Sequence, residues 1–198
     1  MTQRHGGQTG LALVALGANL PSGSREPAEA VRLACLRLRR MGAVRVSLLY
    51  RTPAYPPGSG PDFVNACAAL RTDLPPRALL ARLHAVEAAM GRARRARRAR
   101  WGPRAIDIDL LALGRAVLPS RARWAAWARL PEAAQAAQAP RRAVLPHPRL
   151  QDRAFVLVPL ADIAPDWRHP VTGLTVRAML NALPPADRAA VRALGPAR

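Results

Sequence analysis

Apolar residues recur along this chain in two rhythms, one of period two and one of helical period. Leu11 to Leu16 is a short apolar run stopped by the turn-forming Gly17-Ala18-Asn19-Leu20-Pro21, which predicts a first strand. From Ser24 a helix is predicted. Glu26, Pro27 and Glu29 stand in its first turn, where acids and proline are favoured. Val31, Cys35, Leu38 and Met41 follow at helical spacing, and Gly42 sits where a helix ends. Val44, Val46, Leu48 and Tyr50 then alternate with Arg45 and Ser47, a second strand. A stiff loop follows, built on Pro53, Pro56, Pro57, Gly58, Gly60 and Pro61. Phe63 to Leu70 reads as a third strand. A second helix opens at Pro75-Pro76, lines up Leu79, Leu80, Leu83, Val86 and Met90, and stops at Gly91. After an Arg-rich stretch over 92–100, Ala105 to Leu113 gives a fourth strand.

The order βαββαβ predicts an α+β fold with a ferredoxin-like core, an antiparallel sheet with helices on one face. C-terminal helices are added to it: an apolar one from Arg153 to Ile163 and a short one from Thr175 to Leu183. Residues 115–143 read as an insertion whose Trp124, Trp127 and Leu130 form an anchoring face. The expected organisation is a disordered lead over 1–10, one catalytic domain over 11–183 and a loosely ordered tail over 184–198.

Composition adjusts this picture in two places. The formal charge of +19 would suggest nucleic acid or anionic membrane, but all 31 basic residues are Arg and they are spread over nearly every segment. The bulk charge therefore reads as a compositional bias that has replaced Lys by Arg. Cys35 and Cys67 lie in apolar stretches with no metal-ligand spacing, which predicts buried thiols in a reducing compartment. The opening apolar run is shorter than the ~7–15 residues of a signal segment, and none approaches the ~18 of a membrane span. A cytoplasmic location is expected.

The strongest chemical signal is Ile106-Asp107-Ile108-Asp109-Leu110. Residues two apart in a strand share a face, so both carboxylates converge while the apolar residues turn the other way. Like charges so placed repel unless a cation lies between them, and magnesium accepts one or two carboxylates together with phosphate oxygens. For an isolated Asp-x-Asp, two solvent-facing acids partnering arginines is the competing account. Here Arg92, Arg94, Arg95, Arg97, Arg98, Arg100 and Arg104 precede the pair, around Trp101-Gly102-Pro103. Guanidinium groups bind phosphate oxygens bidentately, so metal and anion ligands stand together. No Walker A motif occurs. A second constellation, Thr52, Pro53, Tyr55, Asp62, Phe63 and Asn65, could stack on and hydrogen-bond a flat heterocycle; a Phe and an Asn sharing a strand face are also ordinary core and turn residues. The same ambiguity holds for His147 between its two prolines.

Together, Leu16-Gly17-Ala18-Asn19-Leu20, Tyr50-Arg51-Thr52-Pro53, Pro61-Asp62-Phe63-Val64-Asn65-Ala66, Gly91-Arg92, Arg100 to Leu110, Pro146-His147-Pro148 and Arg153 to Leu157 resemble the 6-hydroxymethyl-7,8-dihydropterin pyrophosphokinases of folate biosynthesis. The resemblance implies transfer of the β,γ-diphosphate of ATP to a pterin hydroxymethyl group, with release of AMP. It implies that Asp107 and Asp109 hold two magnesium ions. Thr52, Pro53, Tyr55 and Asn65 would bind the pterin, with its ring between Phe63 and Phe155. Glu87, Trp101, Leu110, Arg142, His147 and Arg153 would bind ATP, and Arg92 and Arg104 would steady the transferred group. The Arg-rich segment 92–100 is expected to close over the nucleotide as a lid. A monomer is expected, with ATP and a reduced pterin as its partners and neither nucleic acid nor membrane. A ferredoxin-like nucleic-acid-binding protein and another metal-dependent nucleotidyl transferase are the rival readings; the first would have no need of the Asp pair.

Overall fold

A computed structural model describes residues 10–54, 58–91, 104–131, 134, 140 and 143–197. Four of the candidate site residues, Tyr55, Arg92, Trp101 and Arg142, lie outside the described residues, as do the expected lid segment and residues 1–9 of the lead.

Among the described residues six strands form one sheet: β1 Gly10–Ala18, β2 Val44–Val46, β3 Leu48–Thr52, β4 Phe63–Thr72, β5 Asp107–Leu113 and β6 Arg192–Pro196. Their order is β5-β1-β4-β3-β6, with β2 also on β4, and every pairing is antiparallel. The first four elements of that order are the ferredoxin-like arrangement the hydrophobic rhythm predicts. The described helices are α1 Pro27–Leu38, α2 Pro76–Ala89, α3 Arg121–Ala128, α4 Ala154–Ile163, α5 Val176–Ala182 and α6 Pro185–Ala189. None is long and apolar enough to cross a membrane.

The first helix starts at Pro27, not Ser24, because the Glu26 N–H donates to the Glu29 carboxylate at 3.3 Å and closes the first turn there. The second predicted strand is two, broken at Ser47. Its N–H bonds the Cys67 carbonyl at 2.9 Å, and its Oγ accepts from the Cys67 N–H at 2.9 Å. At the far end of α2, Gly91 adopts φ +88°, a turn that a side chain would strain, and the Ser22 hydroxyl donates to the Met90 carbonyl at 3.1 Å.

Helices cover both faces, not one. The first core joins Val14, Leu16, Ile108 and Leu110 of the sheet to Val31, Cys35 and Leu38 of α1 and Leu79 and Leu83 of α2. The second joins Leu13, Cys67, Leu111 and Ala112 to Val156, Leu157 and Leu160 of α4 and Val176 and Met179 of α5. The nearly unbroken apolar run of α4 is what lets it serve as the cover of a second face. In β5 the pairing with β1 slips between Leu13 and Val14, so Leu111 and Ala112 both enter the second core. The free cysteines therefore stand in different layers, as buried thiols.

The described part of the tail, expected to be loosely ordered, carries two regular elements. Residues 185–189 form α6, and β6 pairs with β3 in register Tyr50↔Ala193 and Arg51↔Arg192. Main-chain hydrogen bonds to an otherwise open sheet edge order it, which needs no apolar alternation in the added strand. In the insertion, Trp124 anchors as expected: it is buried and its Nε1 donates to the Pro146 carbonyl at 2.8 Å.

Candidate active site

The predicted carboxylates emerge on the face that α4 covers. Register places Asp107, Gly17, Asn65 and Tyr50 in one row across four adjacent strands, and directly paired residues share a face. Asp109, Ala15 and Cys67 form the next row toward the core, and Thr52 and Phe63 pair on the other side. Asp107 and Asp109 are partly exposed, while Ile108 and Leu110 between and beyond them are buried in the first core. The period-two expectation for this strand holds.

Within the row, Asn65 is buried and its Nδ2 donates to Thr52 Oγ1 at 2.7 Å. Gly17 makes room for that amide: a Cβ built there would lie 2.8 Å from Asn65 Oδ1. Behind them the Tyr50 hydroxyl donates to the Asp162 carboxylate of α4, with Oδ1 and Oδ2 at 3.0 and 2.9 Å, and the Leu48 N–H adds a bond to Oδ2 at 3.1 Å. Burial first, then the bond to Asp162 and its charge, push the Tyr50 phenol up to about 12, so it stays a donor. This brace fastens α4 to the strand that carries Thr52.

Cationic groups flank the carboxylates. The Arg104 guanidinium ion-pairs with Asp107. Arg153, just before α4, lies close enough to Asp109 and Asp107 to feel both charges. Burial draws its pKa down, Asp109 raises it, Arg149 lowers it and Asp107 raises it again. Arginine stays charged through such a contest, so Arg153 is a fixed cation behind the carboxylate pair. Its guanidinium also sits 5.5 Å from the centre of the Phe155 ring, which is 39% exposed.

Other candidates take places the motif alone did not indicate. Glu87 is 2% exposed, and its Oε1 accepts from the Ile108 N–H at 2.9 Å, satisfying the outer edge of β5. The Leu110 side chain is sealed in the first core, which leaves only its main chain to meet a ligand. His147 lies along the same edge: its N–H donates to the Leu111 carbonyl at 2.7 Å and its Nδ1 accepts from the Arg149 N–H at 3.1 Å. Pro53 borders a groove of about 470 Å³ shared with Arg51, Asp62 and the tail residues Ala190, Arg192 and Leu194. The sequence marks Gly17 and Asn19 only as part of the Leu16-Gly17-Ala18-Asn19-Leu20 motif, with no role for either, and carries no local signal for the Tyr50–Asp162 brace.

Paired carboxylates beside fixed guanidiniums, next to an amide and aromatic rings, have the chemistry of a site for a metal-bound polyphosphate and a flat polar ring. Comparison with known proteins gives the family. Residues 13–165 match the family described as 7,8-dihydro-6-hydroxymethylpterin-pyrophosphokinase (HPPK). The 2-amino-4-hydroxy-6-hydroxymethyldihydropteridine pyrophosphokinase of Pseudomonas aeruginosa is 42% identical over 157 residues, 79% of this chain and 82% of that one. The Synechocystis enzyme of the same name is 39% identical over 132 residues, 67% of this chain and 55% of that one. The chain belongs to the HPPK family. The wild-type Plasmodium falciparum HPPK-DHPS crystal structure shares the fold, with TM-score 0.60 at 16% identity, over 89% of this chain and 45% of that one. The chain thus spans under half of that two-part protein.

Proposed function

We propose that this chain is the enzyme its family describes, acting as one catalytic domain in the cytoplasm, as a monomer. It transfers the β,γ-diphosphate of ATP to 6-hydroxymethyl-7,8-dihydropterin. The pterin hydroxymethyl oxygen attacks the β-phosphorus in line. A new P–O bond forms, the bond from the β-phosphorus to the α–β bridging oxygen breaks, and AMP leaves with that oxygen while the hydroxyl proton passes to solvent. The observation that supports this reading is the single row of Asp107, Gly17, Asn65 and Tyr50 across four strands, with a carboxylate and an amide on one face.

In this reading Asp107 and Asp109 hold magnesium, as two oxygen-donor side chains suit a hard cation. When bound, the metal neutralises polyphosphate charge and orients the β-phosphorus. Arg104 and Arg153 steady the phosphates, and Asn65 with Thr52 reads the pterin edge while Phe63 and Phe155 stack on the ring. Glu87 contributes by fixing the β5 main chain, and Leu110 through its own main chain. Tyr55, Arg92, Trp101 and Arg142 retain the parts the resemblance implies.

Incubating the protein with ATP, magnesium and the reduced hydroxymethylpterin tests the reading. Equal yields of AMP and pterin diphosphate are expected. Formation of ADP, or no turnover with either metal present or absent, overturns it.

A further inference from the structure

Asn19, at the end of β1, is 4% exposed and joins two loops that are remote in sequence. Its Oδ1 accepts from the Arg104 N–H at 2.7 Å, and its Nδ2 donates to the Pro61 carbonyl at 3.1 Å. Its own N–H and that of Leu20 bond the Arg104 carbonyl at 3.0 and 3.2 Å. Arg104 is thus gripped at both its main-chain groups while its side chain reaches Asp107. Pro61, at the other end, leads directly into Phe63 and Asn65.

A short planar head carrying one acceptor and one donor is needed to make both side-chain bonds from this backbone position. Asp has no donor for the Pro61 carbonyl when ionised, and Ala has neither group. Gly17, two residues earlier on β1, faces Asn65 itself, so the end of β1 is the common frame of both halves of the site.

We propose that Asn19 is a positioning residue for the transfer, setting the distance between the carboxylate–guanidinium half and the pterin half of the site without touching either substrate. The proposal rests on the functional reading above. In-line transfer tolerates little error in the separation of its reactants, and a misplacement of about 1 Å can cost on the order of 10²-fold in rate. A buried tether between the two loops controls that separation.

Asn19→Asp and Asn19→Ala divide the two bonds. Asn19→Asp keeps an acceptor for Arg104 and loses the bond to Pro61. It should raise the KM for the pterin about 10-fold, lower kcat less than about 3-fold, and leave the Arg104 amide protected from hydrogen exchange. Asn19→Ala should add a fall in kcat of on the order of 10-fold to 10²-fold and loss of that protection. All measurements are made well below each variant's Tm. If the wild type is active and both variants keep its kcat and KM, or both lose the two parameters in the same proportion, Asn19 is merely structural and the positioning role falls. If the wild type makes no AMP, the functional reading falls and the positioning role with it.

Discussion

His169 makes this protein's stability acid-sensitive over a window that can be worked out from its surroundings. The ring is fully buried, edge-on to Trp124 and Trp167 at centroid distances of 5.2 and 5.9 Å. Its Nδ1 accepts from the Val171 and Thr172 N–H groups, each at 3.2 Å, so the neutral ring carries its proton on Nε2, which has no hydrogen-bond partner among the described residues. Burial pushes the pKa down from 6.5 to about 4. The unfolded chain takes up a proton near its ordinary pKa that the folded chain refuses until about pH 4. Stability is therefore fully present above the unfolded value and is lost as pH falls through the window. The window puts the loss on the order of 1 kcal/mol at pH 5.5, rising to about 3 kcal/mol below pH 4.5. Against a typical stability of roughly 5–15 kcal/mol, that is a large share. Urea unfolding at about pH 7.5, 5.5 and 4.5 measures it, with His169→Asn as the control, since Oδ1 of Asn can take the place of Nδ1 as acceptor. The variant starts less stable because the lost ring leaves a cavity, but the wild type should lose about 2–3 kcal/mol more than the variant on going to pH 4.5. Parallel stability profiles for the two proteins would show that the ring gains its charge without cost and that His169 is not the source of acid sensitivity.

Four substitutions probe the site. Asp107→Asn or Asp109→Asn should leave a folded protein whose turnover falls by at least ~10²-fold, read from steady-state AMP formation; near-normal turnover at modest magnesium would exclude them as metal ligands. Asn65→Ala should weaken pterin binding by about 1–3 kcal/mol in calorimetric titration while sparing ATP, and equal losses for both would mark a structural role for the Asn65–Thr52 bond. Gly17→Ala drives a Cβ to 2.8 Å from Asn65 Oδ1, so the amide must leave its 2.7 Å bond to Thr52. About a 10-fold weaker pterin affinity is expected, and unchanged affinity would mean that the amide has other room.

Much of the sheet was legible because its information is local. The switch from helical to period-two spacing marks β1, β4, β5, the β2–β3 stretch read as one strand, and the helices α1 and α2, and i, i+2 geometry alone puts Asp107 and Asp109 on one face. What escaped depends on partners distant in sequence. Residues 192–196 carry no strand rhythm, since an edge supplied by β3 organises them. Glu87 reads as a polar residue near the end of a helix, and only the docking of α2 on β5 shows that its carboxylate closes that strand's outer edge. Asn19 looks like turn punctuation, because the loops it ties lie 42 and 85 residues away. The covering of the second face was half visible in the apolar run 154–160, whose lack of a polar side makes sense once it is packed between sheet and α5.

The distribution of the two thiols has a practical consequence. Cys35 sits among the residues of α1 on one side of the sheet, and Cys67, whose Sγ donates to the Val156 carbonyl at 3.5 Å, sits against α4 on the other. Burial raises the pKa of both, Cys35 up to about 12, so neither is a ready nucleophile at neutral pH while the layers are closed. Alkylation at either position then times the opening of its own leaf of the sandwich. Counting singly and doubly labelled molecules by mass distinguishes a protein that opens like a book, one cover at a time, from one whose covers come away together.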